Sequence, residues 1–206
     1  PAMYKPRGAI FRAGDTVYHA GDPARSLYRV KTGVLRLSRI LADGRHQIMS
    51  FAFPGDVIGF TSCHEHQTTC EALEPAAVEI LPAQSFGQDG EVCAEVLAAA
   101  MQEITAMQDH FLMQDHFLML GVMTAQQKLA SFLATMADRV GRRLGRYVEF
   151  SLPMSRSDIA AYLGLSIETV SRQITALRKA GLIETDGTRT IILLDPEGLT
   201  DVAEAA

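Results

Sequence analysis

From Phe11 to Ile58 the apolar residues fall in short runs: Phe11, Val17, Leu27-Tyr28, Val30, Val34-Leu35, Leu37, Ile40, Ile48, Phe51, Phe53 and Val57-Ile58. Turn residues punctuate them at Gly14-Asp15, Gly21-Asp22-Pro23, Gly33, Asp43-Gly44 and Pro54-Gly55-Asp56. Short apolar runs with turn signals between them predict short strands, and many such strands predict a barrel or jelly roll. From about Glu91 to Met119 the period lengthens. Leu97, Ile104, Phe111 and Leu118 recur every seventh residue, with Ala100 and Met107 between them. A heptad seam predicts a long helix paired with its copy in a dimer, and a helix packed on its own barrel is the alternative. Gln114 falls on the seam, with Asp115 beside it, and weakens the pattern there.

Beyond residue 153 the pattern predicts two short helices about a tight turn. Ser155 with Asp158 three residues on is a capping-box variant, with Asp in place of Glu. Ile159, Ala160 and Leu163 make the buried face of the first helix, and Gly164 supplies the turn. Ser166 caps the second helix, where Ile167, Val170, Ile174 and Leu177 recur at helical spacing and are expected to face inward. Glu168, Ser171, Arg172 and Thr175 are left pointing outward, and Gly181 ends the helix after Arg178 and Lys179. Leu182-Ile183-Glu184 reads as a strand, Thr185-Asp186-Gly187-Thr188 as a two-residue hairpin turn, and Arg189 to Leu194 as the returning strand. Asp195-Pro196 then opens a short last helix. The unit is a winged helix-turn-helix.

Such a unit lays its second helix in the major groove of DNA. Glutamate accepts from cytosine N4, and arginine forks onto guanine O6 and N7. Glu168, Ser171 and Arg172 stand at i, i+3 and i+4, on one face near the helix N-terminus, so they are the expected base readers. Arg156, Ser166, Thr169, Thr175, Lys179 and Arg189 are the expected contacts to the DNA backbone.

Composition narrows the class. With 206 residues and 48% hydrophobic content, the chain has material for one or two packed cores. No apolar run is long enough for a membrane span and no signal peptide opens the sequence, which points to a cytoplasmic protein. Cys63, Cys70 and Cys93 are too few for a disulfide scaffold. The net charge of −5 is unusual for a DNA binder, but cations are unevenly placed. None occurs between Arg45 and Lys128, and they return as Arg139, Arg142, Arg143, Arg146 and Arg156. A local basic face is enough for phosphate contact. No nucleophile-elbow serine, P-loop or zinc-protease motif appears, so the sequence reads as a non-enzyme.

The order barrel, long helix, winged helix-turn-helix resembles the CRP/FNR superfamily of transcription regulators along nearly the whole chain. The barrel landmarks are Phe11-Arg12-Ala13-Gly14-Asp15, Gly21-Asp22-Pro23-Ala24, Ser26-Leu27-Tyr28, Lys31-Thr32-Gly33, and Phe53 through Phe60. The Glu168-x-x-Ser171-Arg172 pattern resembles the FixK-like branch, which reads TTGAT half-sites. The resemblance implies an α+β fold with a cyclic-nucleotide-binding-like barrel over 1–90, a dimerisation helix over 91–120 and a DNA-binding domain over 121–206. Leu97, Ile104, Met107, Phe111 and Leu118 are the expected dimer seam. It further implies a homodimer on an inverted-repeat operator, with RNA polymerase as partner and activation as the outcome. The short lead before Ile10 is expected to leave little room for an N-terminal helix.

The effector chemistry departs from those relatives. The cyclic-nucleotide branch has a Gly-Glu pair and an Arg in the loop after the barrel glycine, whereas Phe60 follows Gly59 here. An anionic phosphate is expected to meet Glu65, Glu71, Glu74 and Glu79 instead. The oxygen-sensing branch holds an iron–sulfur cluster on N-terminal cysteines and one in the barrel. Here no cysteine precedes Cys63, and Val78 stands where the barrel cysteine belongs. The expectation is a regulator with no cofactor and no obligatory effector. The alternative is a metal- or redox-gated regulator using Cys63, His64, His66 and Cys70. His64-x-His66 followed by Glu71 also resembles the first metal motif of cupin enzymes, but the second motif is missing.

Overall fold

The structure is a computed structural model that describes residues 7–41, 44, 46–61, 64–82 and 123–205. The chain divides into two compact units, Pro1–Met113 and Gln114–Ala206. The expected dimerisation helix with its five seam residues, Cys63 and Cys93 lie outside the described residues.

The first unit contains β1 (Arg7–Phe11), β2 (Thr16–Tyr18), β3 (Ser26–Thr32), β4 (Leu35–Ile40), β5 (His46–Ala52), β6 (Val57–Ile58), β7 (Thr69–Ala72) and β8 (Ala76–Pro82). They form two antiparallel four-stranded sheets, ordered β1-β8-β3-β6 and β2-β7-β4-β5. This is the expected jelly roll. Val30, Leu35, Cys70, Ala72 and Val78 fill its interior, each at most 2% exposed. The strands alternate inward apolar with outward polar positions, so Cys70 and Ala72 bury while Glu71 between them faces out to Arg36 on β4, at 2.8 Å.

Three of the turns share one chemistry. In Arg12–Asp15, His19–Asp22 and Phe53–Asp56 the third residue is a glycine with φ between 87° and 102°. In each, the Asp carboxylate accepts the N–H of the residue three before it, at 2.7, 2.8 and 2.8 Å. The Asp N–H donates to that residue's carbonyl at 3.0–3.1 Å. A positive φ at the third position requires glycine, and the Asp closes the turn a second time. Gly33 is constrained from outside as well, because a Cβ there sits 2.6 Å from the Pro75 carbonyl.

One end of the barrel interior is aromatic. His66 is 3% exposed and stacks on Tyr18 with ring centroids 3.9 Å apart, and Tyr18 stacks on Tyr28 at 5.3 Å. Backbone bonds between His66 and both Gly21 and Asp22, each 2.9 Å, pin the histidine's loop to the β2–β3 turn. Burial holds the His66 imidazole below its ordinary pKa of 6.5, opposed in part by Asp22. The unfolded chain therefore binds this proton first. Stability is fully present above the unfolded value near 6.5 and falls as pH drops toward the lowered folded value. Urea unfolding is expected to show a lower midpoint at about pH 5.5 than at about pH 7.5, with a smaller difference in His66→Phe. An equal pH dependence in that variant assigns the effect to other groups.

The second unit contains α1 (Ala125–Val140), β9 (Arg142–Leu144), β10 (Tyr147–Ser151), α2 (Arg156–Leu163), α3 (Ile167–Lys179), β11 (Ile183–Asp186), β12 (Thr190–Leu193) and α4 (Pro196–Glu204). A four-stranded sheet runs β11-β12-β10-β9. Helix α1 starts at a capping box between Thr124 and Gln127 and buries Leu129, Phe132, Leu133 and Met136, one helical stripe. Its Phe132 ring meets Tyr162 of α2 at 5.7 Å. Asp195 caps α4 by accepting the Gly198 N–H at 3.0 Å, with Pro196 at the first helical position, as expected.

The wing differs from expectation in its register. Ile183 pairs with Leu193 and Asp186 with Thr190, so the turn is the three residues Gly187, Thr188 and Arg189. Asp186 stays in the ladder and Gly187 alone takes a positive φ, +65°. Arg189 therefore belongs to the turn rather than to the strand, and its carbonyl accepts the Leu152 N–H at 2.8 Å.

Candidate nucleic-acid interface

The two helices of the turn motif are framed as the sequence predicts. Ser155 Oγ accepts the Asp158 N–H at 3.1 Å, and Asp158 accepts from Ser155 N–H and O–H at 2.8 and 2.7 Å. Ile159, Ala160 and Leu163 are buried. Gly164 takes φ 63°, ψ 37°, a left-handed cap open to glycine at no steric cost. Ser166 then caps α3 by accepting the Thr169 N–H at 3.1 Å.

Helix α3 buries Val170, Ile174 and Leu177 and exposes Glu168, Ser171, Arg172, Thr175 and Lys179 along one stripe. The expected base readers are thus together in space. Ile167 is a correction: the spacing assigned it to the inner face, but it is 47% exposed. It is the first residue of α3, one turn ahead of Val170, where the buried stretch begins. An apolar side chain directly before Glu168 at a capped helix start was the signal for it.

Hydrogen bonds set the starting positions of these side chains. Its own backbone N–H and the Ser166 side chain hold the Glu168 carboxyl below the ordinary range. Arg172 Nη2 donates to Thr169 Oγ1 at 3.1 Å, and Thr169 Oγ1 lies 3.0 Å from Ser166 Oγ. The Thr175 hydroxyl donates to the Ser171 carbonyl at 3.0 Å. Arg178 is drawn out of the exposed stripe to Glu184 of β11, at 2.8–2.9 Å, and so ties α3 to the wing.

Arg156 opens α2 and is half-buried. Its Nη1 is buried with no hydrogen-bond partner among the described residues, and burial lowers its pKa. A desolvated guanidinium N–H without an acceptor favours an anion beside it. The arginines of the β9–β10 hairpin lie elsewhere. Ser151 of β10 pairs with Thr190 beside the wing turn, and Val148 pairs with Leu193 at the other end. The turn carrying Arg146 is therefore at the opposite end of the sheet from Arg189. Arg146 lies over the Tyr147 ring, 4.9 Å from its centroid.

Of the candidate metal ligands in the first unit, the described ones, His64, His66 and Cys70, do not come together, and Cys63 lies outside the described residues. His64 is exposed, whereas the His66 ring lies under Tyr18. Cys70 is fully buried in β7, where burial and then Glu71 push its thiol up to about 12. Among the described residues no three His, Cys, Asp or Glu side chains come together as a metal site. The expected field of free carboxylates is also reduced. Glu71 pairs with Arg36, and Glu79 pairs with Lys31 at 2.7 Å. Both cations come from earlier strands, which the one-dimensional count did not include. No helix among the described residues is long and apolar enough to cross a membrane.

Comparison with known proteins agrees with this arrangement. Residues 10–88 match the cyclic nucleotide-binding domain, and residues 127–202 match the Crp-like helix-turn-helix domain. The nitrogen fixation regulation protein FixK of Rhizobium meliloti is 37% identical over 93% of this chain and 84% of its own length. The transcriptional activator protein FnrA of Stutzerimonas stutzeri is 30% identical over 97% of this chain and 82% of its own. The solved structure of FixK2 from Bradyrhizobium japonicum superposes with a TM-score of 0.82 at 33% identity, covering 98% of this chain and 100% of that one. The chain belongs to the CRP/FNR family of DNA-binding transcription regulators and stands close to FixK.

Proposed function

We propose that the protein acts as a homodimer on an inverted repeat of TTGAT-like half-sites, activates transcription there with RNA polymerase, and needs no cyclic nucleotide to bind. The observation that carries the reading is the α3 stripe: Glu168, Ser171 and Arg172 exposed together on a helix whose opposite face is locked by Val170, Ile174 and Leu177. These three read base edges. Ile167 adds an apolar contact suited to a thymine methyl. Arg156, Lys179 and Arg189 contact the backbone, while the hydroxyls of Ser166, Thr169 and Thr175, which stand on the same helix or at its cap, are engaged within it. Likeness to FnrA supports activation. The heptad residues Leu97, Ile104, Met107, Phe111 and Leu118 support a dimer helix over 91–120, between a barrel over 1–90 and a DNA-binding domain over 121–206. The aromatic stack supports independence of effector. Gly59 lies against Tyr28 and His66, so a Cβ there is 3.3–3.4 Å from both rings. The protein's own side chains occupy that part of the interior.

Selection from a random DNA pool with purified protein and no ligand tests the reading. The expected product is an inverted repeat with a TTG core and half-site centres about one helical turn apart, near 10 bp. Added cyclic AMP or cyclic GMP is expected to leave affinity unchanged. Direct repeats, or no recurrent TTG, overturn the operator assignment. A saturable shift of about tenfold with either nucleotide, some 1.4 kcal/mol, overturns effector independence.

A further inference from the structure

Two hydroxyls at the start of α3 lie next to the two base readers. Arg172 can only donate, and an ionised Glu168 can only accept. Between them stand Thr169 and Ser166. Arg172 Nη2 donates to Thr169 Oγ1 at 3.1 Å. Thr169 Oγ1 is 3.0 Å from Ser166 Oγ, which also accepts the Thr169 N–H at 3.1 Å. Ser166, two residues before Glu168, helps to hold the Glu168 carboxyl below its ordinary range. The arginine end fixes the first direction. Thr169 accepts from arginine, and the contact between the Thr169 and Ser166 hydroxyls can be donated from either side.

We infer that Thr169 is a positioning residue, which presets the Arg172 fork for a guanine and couples it through Ser166 to Glu168, so that the two bases are read together. The inference rests on the DNA reading of α3 proposed above. A guanidinium on a long side chain has many rotamers, and holding it in one before contact lowers the ordering cost of binding. The same bond serves no purpose for a threonine whose hydroxyl contacts phosphate. That role makes a different prediction, a loss common to all sequences.

Thr169→Val keeps the β-branched shape and deletes the hydroxyl, and Thr169→Ser keeps the hydroxyl. Both are compared with the wild-type chain on the selected operator and on operators changed at single positions. The pair read by Arg172 is the one at which Arg172→Ala loses preference. At that pair Thr169→Val is expected to lose roughly three- to tenfold in discrimination, the worth of about one hydrogen bond, and Thr169→Ser is expected to retain it. Glu168→Ala and Arg172→Ala are expected to be non-additive in the wild-type background and additive in Thr169→Val. Circular dichroism melting confirms that each variant is folded. Full discrimination in Thr169→Val overturns the inference, as does an equal loss on all operators. Absence of any selected site with the wild-type chain overturns the DNA reading itself, a result visible before any variant is made.

Discussion

Arg172→Ala is expected to lower affinity for the selected operator by roughly 1–3 kcal/mol and to relax preference at one guanine. The side chain stands on the exposed stripe of α3, one turn after Glu168, with its Nη2 held by Thr169. A fork on guanine O6 and N7 is lost with the guanidinium, and no neighbour on the stripe replaces it. Arg178 is committed to Glu184, and Lys179 lies two turns further on. Three companions separate reading from attraction. Glu168→Ala is expected to relax preference at a cytosine-bearing pair more than it lowers affinity. Ile167→Ala is expected to weaken preference for one thymine. Lys179→Ala is expected to weaken all sequences alike and to flatten the salt dependence by about one phosphate. Binding measured on operators varied one position at a time, at two salt concentrations, distinguishes these patterns. A loss in Arg172→Ala that is equal on every sequence assigns Arg172 to the backbone instead.

How much of this was legible beforehand depended on whether a signal was local. The Gly-Asp turns were legible because glycine and the carboxylate act within four residues. Both caps of the turn motif and Gly164 were legible for the same reason. The wing register was not. An Asp-Gly pair allows a two-residue turn, but pairing of Asp186 with Thr190 is decided by the whole ladder. Strand β9 left no apolar alternation to read, since Arg142, Arg143 and Leu144 are all exposed at a sheet edge. Helix α1 did leave its stripe, Leu129, Phe132, Leu133 and Met136, and its capping pair, and a periodicity count over that window detects it. The pairing of Glu71 with Arg36 joins positions far apart in sequence, as does the stacking of His66 on Tyr18. Spacing of metal-ligand residue types along a loop does not say which of them the barrel buries. Cys70 alternates inward with Ala72 because β7 is a strand, and that fact removes it from the loop chemistry.

Leu177→Ala is expected to cost about 2–5 kcal/mol of folding stability, the range for emptying a buried leucine site. Leu177 is fully buried on the inner face of α3, with Val170 one helical face below it and equally buried. Leu129 and Leu133 of α1, Ile159 and Leu163 of α2 and Ile183 of β11 are each at most 1% exposed in the same unit, so the surrounding side chains are themselves fixed by packing. A site of that kind collapses poorly around a missing isobutyl group, which places the cost toward the upper part of the range. Urea unfolding gives the size of the effect. Its DNA phenotype is expected to be the reverse of that of Arg172→Ala. Unfolded molecules bind nothing, so apparent affinity falls with the folded fraction, but every folded molecule still presents Glu168, Ser171 and Arg172 in register. Preference among operators is therefore expected to match the wild-type chain at low temperature, where the variant is folded. A changed preference in folded Leu177→Ala means that the buried face sets the pose of the exposed one, and the division of α3 into a packing face and a reading face fails.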